Sequence, residues 1–487
     1  MSTSTILDLN PKNVWKHFYA LTRIPRPTGQ MEEVAEYVKK IGNDRNLDVK
    51  QDKVGNIVII KPASKGYENK DTVILQAHLD MVPQKNADVD HDFSKDPIDA
   101  FVHDDIVKAR ATTLGADNGI GIAMILALME DDSLKHPQIE GLFTIDEEEG
   151  MDGAFGLEEG FLKGKYMINL DTEEDGELCI GCAGGADMNI TFGYKEDKDI
   201  APGDVAIKVS LTGLKGGHSG AQIELGRGNA NKLMNLFLKD IVINYEARLA
   251  SIKGGSLRNA IPRESFAVVC VPEQLLDDLL DLTKEYEKLF RKEFAGIEES
   301  ISFKAEKTEL PKTLIPVEVQ DDLINAVEGC PNGVISMLAE FPDTVESSLN
   351  LAMVQSSPEK TEVKLLVRSS SETRKAWVCS SVESIFLLAG ANVKIENEYP
   401  GWQPNANSPL LNTMEKIYLE KYGERPHVNV IHAGLECGII QSRVNKDLDI
   451  VSFGPTIRGA HSPEEYVEIA AVEKSYEYML AILEELG

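Results

Sequence analysis

Metal-type ligands recur at the ends of short, β-rich apolar runs, and this recurrence constrains the fold more than any other feature of the chain. His78 and Asp80 stand in VILQAHLDM, Asp117 in LGADNGIG, Glu147 and Glu148 in FTIDEEEG, Asp171 in MINLDTEE and His461 in RGAHSPEE. Residues 72–77, 139–145, 166–170 and 449–453 read as strands buried in a sheet, and stretches between several of them carry helical spacing. Strands alternating with helices predict an α/β fold with a doubly wound, mostly parallel sheet. In such a sheet the ligand crevice lies outside the carboxyl ends of the strands, so residues far apart in sequence converge there. Asp117 differs from the others in preceding a helix, with Ile122, Ile125, Leu126 and Met129 on one face. The positive end of that helix dipole favours a carboxylate.

Two imidazoles with several carboxylates and no thiolate suit a pair of borderline divalent ions, such as zinc, that share an oxygen bridge. The chemistry expected is metal-assisted hydrolysis. Taken singly, each residue has a plainer explanation. A lone His or Asp at a strand end is more often a capped or solvated polar group, and the acidic run at 146–149 reads equally as a solvated turn. Cys179 and Cys182 form a Cys-x-x-Cys with no second pair, which is weak ground for redox or metal chemistry. His17, His91, His103, His136 and His427 lack any comparable context and read as surface or packing residues.

Composition narrows the class. At 487 residues and 42% hydrophobic, the chain is long enough for two or three domains with cores of their own. The N-terminal MSTSTILDLN has no basic stretch followed by an apolar core, and no run reaches transmembrane length. Six scattered cysteines do not make a disulfide framework, so a cytoplasmic enzyme is expected. A net charge of -30 at pH 7 argues against nucleic acid or an anionic membrane as partner.

The pattern along the chain predicts a catalytic domain in two segments, 1–185 and 398–487, around an inserted α+β lid at 186–397. Val14, Phe18 and Leu21, then Val34, Val38 and Ile41, mark two amphipathic helices joined by the IPRPTGQ turn. Beyond GCAGG, the alternation of Ile207, Val209 and Leu211 marks a half-buried strand. A helix at 229–238, strands at 248–253 and 264–271, a helix at 274–292 and a strand at 301–306 complete a ferredoxin-like β-α-β-β-α-β order. A partial second copy follows, with a helix at 321–327, strands at 345–355 and 362–368, a helix at 372–388 and a strand at 392–397. SLRNA at 256–260 has a loose echo in SLNLA at 348–352. After the lid, Ser408-Pro409 caps a helix, and the last helix buries Val472, Tyr476, Met479, Leu480 and Leu483.

HLDMV, TTLGADNGIGIA, FTIDEEEGMDGAFGL, INLDTEEDGE, GCAGGAD, GLKGGHSG, RNAIPRE, HAGLECG and GAHSPEE, in this order along the whole chain, resemble the dizinc metallopeptidases that include carboxypeptidase G, peptidase T and peptidase V. The similarity is greatest to their aminoacyl-histidine dipeptidase branch. Carried over by position, the resemblance implies two zinc ions bridged by Asp117, with His78 and Asp171 completing one site and Glu148 and His461 the other. It makes Glu147 the general base and Asp80 the partner that orients His78. Local chemistry alone leaves the register of Glu147, Glu148 and Glu149 open, and the family pattern Asp-Glu-Glu-x-Gly sets it. In the lid, the resemblance gives His218 the oxyanion, and Asn259 and Arg368 the substrate's terminal carboxylate and backbone. It brings the Gly434 backbone close to bound substrate. Glycines around His218 and a strand position for Arg368 also have purely structural explanations.

The function these features imply is hydrolysis of unblocked dipeptides, including Xaa-His and β-alanyl-histidine, by a monomer or homodimer. His218 is expected to act within its own chain, since the lid has room for two units. Two alternatives remain at this stage. An aminoacylase-type amidohydrolase acting on N-acyl amino acids shares every ligand, and a metal- or peptide-binding protein without turnover has no need of Glu147.

Overall fold

The structure is a computed structural model that describes residues 5–86 and 88–487; the first four residues of the N-terminal stretch lie outside it. The chain divides into two compact units, Met1–Gly181 with Trp402–Val430 and Leu435–Gly487, and Cys182–Gly401 with Ile431–Gly434. Among the described residues, no helix is long and apolar enough to cross a membrane.

The first unit is built on an eight-stranded sheet. Its centre is parallel: Val73–His78 pairs with Ile139–Thr144 on one side and Tyr166–Asn169 on the other, and Tyr166–Asn169 pairs with Asp449–Ser452. Ile57–Lys61 joins Ile139–Thr144 antiparallel, and Asp48–Gln51 joins Ile57–Lys61 antiparallel. The doubly wound expectation therefore holds in the central strands, and the flanks are antiparallel. Val73–His78 and Ile139–Thr144 are buried along their whole length, which is why their apolar residues run consecutively rather than alternately, with Gln76, His78, Glu140 and Thr144 as buried polar exceptions.

The helix Ala116–Glu130 packs on Val73–His78 and carries Asp117 at its start. It buries Ile120, Ile122, Met124, Ile125, Leu126, Leu128 and Met129 around its full circumference, as a helix enclosed by other elements must. Lys12–Thr22 and Glu32–Asp44 pack outside it, each showing the single apolar stripe of a surface helix. An enclosed helix cannot hand its terminal carbonyls to water. Lys61, only 5% exposed at the end of its strand, donates from Nζ to the carbonyls of Leu128 at 3.0 Å, Met129 at 3.2 Å and Asp131 at 2.7 Å. The cation also meets the negative end of the dipole.

The second unit contains two ferredoxin-like halves. In one, Asp204–Thr212, Arg248–Gly254, Ser265–Pro272 and Ser302–Thr308 lie in the spatial order fourth, first, third, second. In the other, Gly184–Gly193, Val345–Ser356, Lys360–Ser369 and Asn392–Tyr399 lie in the same order. The halves join through their second strands, Lys253 opposite Gln355 and Gly254 opposite Val354, into one continuous sheet. The sequence showed the second copy as partial because its first strand, Gly184–Gly193, comes before the other half, which is inserted within it. Met188, Ile190 and Phe192 of that strand are buried alternately with more exposed neighbours, a period hidden by the glycines that open it. SLRNA and SLNLA are not structural equivalents. The first follows Arg248–Gly254 as a loop leading into Ala260–Ile261, whereas the second lies inside Val345–Ser356. Phe237, Tyr286, Phe290 and Phe303 fill the core of the inserted half, with ring centroids 4.9–5.6 Å apart in edge-on contacts.

Lys61→Met keeps the apolar stem but removes the donor from three carbonyls, so it should lower unfolding stability by about 1–3 kcal/mol. Thermal and urea unfolding of the variant measure this directly, and an unchanged midpoint would show that solvent already satisfies the helix end.

Candidate functional site

Every expected ligand lies in the first unit: His78, Glu148 and Asp171 come from the ends of central strands and Asp117 from the head of a helix, whereas His461 comes from a turn beyond Ile457–Arg458 and not directly after Asp449–Ser452, as the sequence suggested. His78 closes the strand Val73–His78 with its ring 1% exposed. Its Nε2 stands 3.0 Å from Asp117 Oδ1 and 3.4 Å from Asp171 Oδ1. His461 Nε2 stands 3.2 Å from the other Asp117 oxygen and 3.0 Å from Glu148 Oε2. Asp117 thus offers one oxygen to each of two donor groups. His78, Asp117 and Glu148 present donor atoms that all lie within 4.8 Å of one another.

Local backbone explains how the side chains reach this point. Asp117 and Asn118 depart from helical φ/ψ at the head of Ala116–Glu130, so the carboxylate leaves the helix axis. Asn118 Nδ2 donates to Leu170 O at 3.0 Å and also to Asp171, tying the two ligand loops together. Asp146 and Met151, with φ of 51° and 55°, bend the loop after Ile139–Thr144 into the left-handed region on both sides of Glu147 and Glu148. His461 has φ 61°. Each such non-glycine residue costs about 1–3 kcal/mol and persists only where the surroundings hold it.

Asp80 is fully buried, and its hydrogen bonds go to backbone and hydroxyl groups. Its carboxylate accepts the backbone N–H of Glu147 at 3.0 Å and of Glu148 at 3.2 Å, and the hydroxyl of Thr28 at 2.9 Å. His78 Nδ1 lies 3.4 Å from Asp80 Oδ1. Although burial opposes it, these partners, His78 foremost, hold Asp80 down at about 2. It is therefore a fixed anion at neutral pH. Glu147, half-buried, is pushed well above the ordinary glutamate range by burial, against the pull of His78 and with the help of Asp171, Glu436 and Glu148. A carboxyl held this way binds its proton more tightly than a solvated glutamate does.

A cation satisfies what the protein alone leaves open. Donors about 2.0–2.1 Å from a tetrahedral ion lie about 3.3 Å from one another, close to the separations around both Asp117 oxygens. Glu148 Oε1 is buried without a hydrogen-bond partner. The all-oxygen-and-imidazole donor set and the crowding of Asp117, Glu148 and Asp171 favour divalent charge over none.

Sequence reasoning missed several groups behind the cluster. Glu436, 1% exposed, accepts from Thr144 Oγ1 at 2.6 Å and Gln76 Nε2 at 2.7 Å, and burial raises it to about 8. Gln76 Oε1 takes a hydrogen bond from Asn169 at 2.5 Å, and Asn169 Oδ1 one from Ser452 at 2.5 Å. Glu173 is raised to about 8 by burial and then by Asp117 and Asp171. Arg26 and Glu465 are both almost fully buried. Glu436 and Glu465 stood inside the HAGLECG and HSPEE motifs, whereas Arg26 was concealed in a segment that reads as a turn.

The lid residues lie in the second unit. His218 and Arg368 meet around Gly220, where an added Cβ would fall 3.1 Å from His218 Cε1, 3.2 Å from Arg368 Nε and 2.2 Å from His432 O. Only glycine passes there. Arg368 is 6% exposed and donates to Tyr399 Oη at 2.9 Å, leaving Nε without a partner. Burial first, then Arg368, lowers His218. His432, which the sequence did not single out, pairs Nε2 with Ser348 Oγ at 2.7 Å and is lowered to about 3 by burial and Arg368. Asn259 is exposed, and its carbonyl accepts from Ser219 N at 2.8 Å. Gly434 is half-buried in a loop.

Residues 74–485 match the model of peptidase family M20/M25/M40. The chain belongs to that family. It is 42% identical over 484 residues to the cytosol non-specific dipeptidase of Escherichia coli (strain K12), covering 99% of each chain. It superposes on the crystal structure of aminoacylhistidine dipeptidase from Vibrio alginolyticus with a TM-score of 0.93 and 43% identity, covering 99% of this chain and 98% of that one. An aminopeptidase PepT from Bacillus cereus shares the fold, with a TM-score of 0.58 at 16% identity over 98% and 99% of the two chains. Membership of this peptidase family implies a peptide hydrolase that uses divalent metal.

Chelation should therefore lower the melting temperature of this peptidase, because the carboxylates around Asp117 lose the charge that offsets their repulsion. Returning a divalent ion should restore it. In Asp117→Asn, which removes the shared anion, calorimetry should detect little or no stabilisation by metal.

Proposed function

We propose that the chain is a two-zinc dipeptidase of the cytoplasm that hydrolyses unblocked dipeptides, Xaa-His and β-alanyl-histidine among them. The observation that carries this reading is near-complete alignment, at 42% identity, with a relative named as a cytosol non-specific dipeptidase. Support comes from a donor cluster in which each oxygen of Asp117 faces its own imidazole.

In this reading His78, Asp117 and Asp171 hold one ion, and Asp117, Glu148 and His461 the other. Two divalent ions held there would supply Lewis acidity toward a water and the scissile carbonyl. The other tasks fall to the chain. Glu147 takes the proton of the attacking water and returns it to the leaving amine, a role suited to a carboxyl raised by burial. Asp80 fixes the backbone of Glu147 and Glu148 by accepting both N–H groups, so base and ligand cannot exchange places. His218, lowered and hence neutral near pH 7, donates a hydrogen bond to the carbonyl oxygen as charge develops on it. Arg368 clamps the free C-terminal carboxylate through a guanidinium whose Nε has no protein partner, and Asn259 and the Gly434 backbone hold the rest of the dipeptide. This clamp accounts for a preference for short substrates with a free terminus.

Glu147→Gln should keep its metals and lose about 10²–10⁴ in turnover. Loss of one ion at nearly normal rate would make Glu147 a ligand and transfer the base role to Glu148.

Metal-loaded protein should cleave carnosine and a Leu-His dipeptide while sparing a tripeptide and an N-acetyl amino acid. Efficient hydrolysis of the N-acetyl compound would favour an aminoacylase instead. Amidating the dipeptide's C-terminus should cost the wild type heavily, since charge-assisted hydrogen bonds contribute about 1.5–3 kcal/mol each. Arg368→Ala should lose most of that discrimination, and equal rates on free and amidated substrate in the wild type would remove Arg368 from the site.

A further inference from the structure

The bridging carboxylate cannot be placed by its own side chain alone, because Asp117 sits where the backbone leaves the helix. Four consecutive N–H groups precede or include it, and none lies within the regular helical hydrogen-bond ladder. All four point to one side chain. Glu465 Oε2 accepts from Leu114 N at 2.7 Å and Gly115 N at 3.0 Å; Oε1 accepts from Ala116 N at 2.7 Å and Asp117 N at 3.4 Å. The opposite side of the same loop is held by Arg26. Its guanidinium donates to Leu79 O at 2.9 Å, to Asp80 O at 2.8 Å and to the carbonyl of Gly115. Glu465 is 1% exposed and Arg26 3%. Gly115 has φ 73°, and a Cβ there would lie 2.7 Å from Arg26 Nη2, so glycine is what lets the guanidinium approach.

We propose that Glu465 and Arg26 form a buried clamp that positions the metal-binding carboxylates, with Glu465 as the positioning residue for Asp117. The clamp ties three ligand-bearing segments into one body. Arg26 joins the segment that follows His78 to the loop that leads to Asp117, and Glu465 joins that loop to the segment carrying His461, four residues earlier in the chain. Neither side chain touches the donor cluster, so each acts through the backbone. This inference rests on the two-ion reading of the cluster.

Carboxylate chemistry is essential to the clamp. All four partners of Glu465 are donors, and only an ionised carboxylate offers acceptors on both arms. Glutamine has nearly the same shape, but it would turn an NH2 group against two N–H donors. The conservative amide is therefore expected to fail where a merely space-filling residue would tolerate it.

The test uses full-length protein stripped of metal and titrated with Zn²⁺ against a chromophoric chelator, with the melting temperature of each apo form measured alongside. Glu465→Gln should bind zinc about 10–100-fold more weakly, the usual scale for groups that orient metal ligands. Glu464→Gln removes the same charge from the exposed neighbouring residue and should bind as the wild type does. Lys61→Met loosens the far end of the same helix and should lose stability without losing affinity, which separates positioning from general destabilisation. Wild-type affinity in Glu465→Gln would overturn the clamp. A wild type that binds no zinc would instead overturn the two-ion reading. Should the amide variant not fold, Glu465→Asp carries the test: it keeps both oxygens one methylene short of the N–H groups, and unchanged zinc affinity there would overturn the proposal equally.

Discussion

Anionic side chains gathered around two shared imidazoles are the constraint on which the first unit depends. Asp117, Glu148 and Asp171 share two imidazoles at 3.0–3.4 Å, with Asp80 and Glu147 beside them. Unscreened like charges at such distances in a buried setting repel strongly. A dense set of N–H and guanidinium groups behind the cluster offsets part of this repulsion, and the divalent metal that the peptidase family uses supplies charge of the right sign to offset the rest. The lining of the site is accordingly polar well below its surface.

That polarity extends into the sheet. One pleat beneath His78, the row Gln76, Asn169 and Ser452 crosses neighbouring strands in register, each side chain bonded to the next, with Glu436 closing one end and Thr172 the other at 2.7 Å from Ser452 Oγ. Buried polar groups stabilise only when every member finds a partner, and a connected row then fixes one register. Strand slippage would break the row and move His78 and Asp171 apart. The same residues that make the sheet core less hydrophobic make its geometry unique.

The second unit follows a different logic. Its two ferredoxin-like halves meet through the ends of their second strands, and Gly333–Met337 pairs along the first part of Val345–Ser356, so that edge is covered by two different partners. A half inserted between the first strand and first helix of the other requires no knotting, since chain entry and exit lie at neighbouring elements. Around Gly220, the strand Lys360–Ser369 contributes Arg368, the segment Gly217–His218 contributes His218, and the loop at Ile431–Gly434 contributes His432. The groups around Gly220 thus come from a strand of the large sheet, a short two-stranded ribbon and a loop.

The strands that end in candidate ligands, the helix after Asp117 and the β-α-β-β-α-β order were all legible in the sequence, because periodicity and strand-end placement are local properties written in consecutive residues. So were the candidates themselves, since His78, Asp117, Glu147, Glu148, Asp171 and His461 stand in ordered motifs of a recognisable family. The first strand of the second lid half was not, because its partners lie more than 150 residues later and its glycines mask the alternation. Nor were Arg26, Glu436 and Glu465. A buried charge is marked by what surrounds it, and nothing in IPRPTGQ or HSPEE says that a guanidinium or a carboxylate there will meet backbone groups from distant loops. Sequence determined the candidate residues and which elements deliver them. Tertiary structure alone decided which buried partners hold them in place, because hydrogen bonds between segments hundreds of residues apart exist only once the chain has folded.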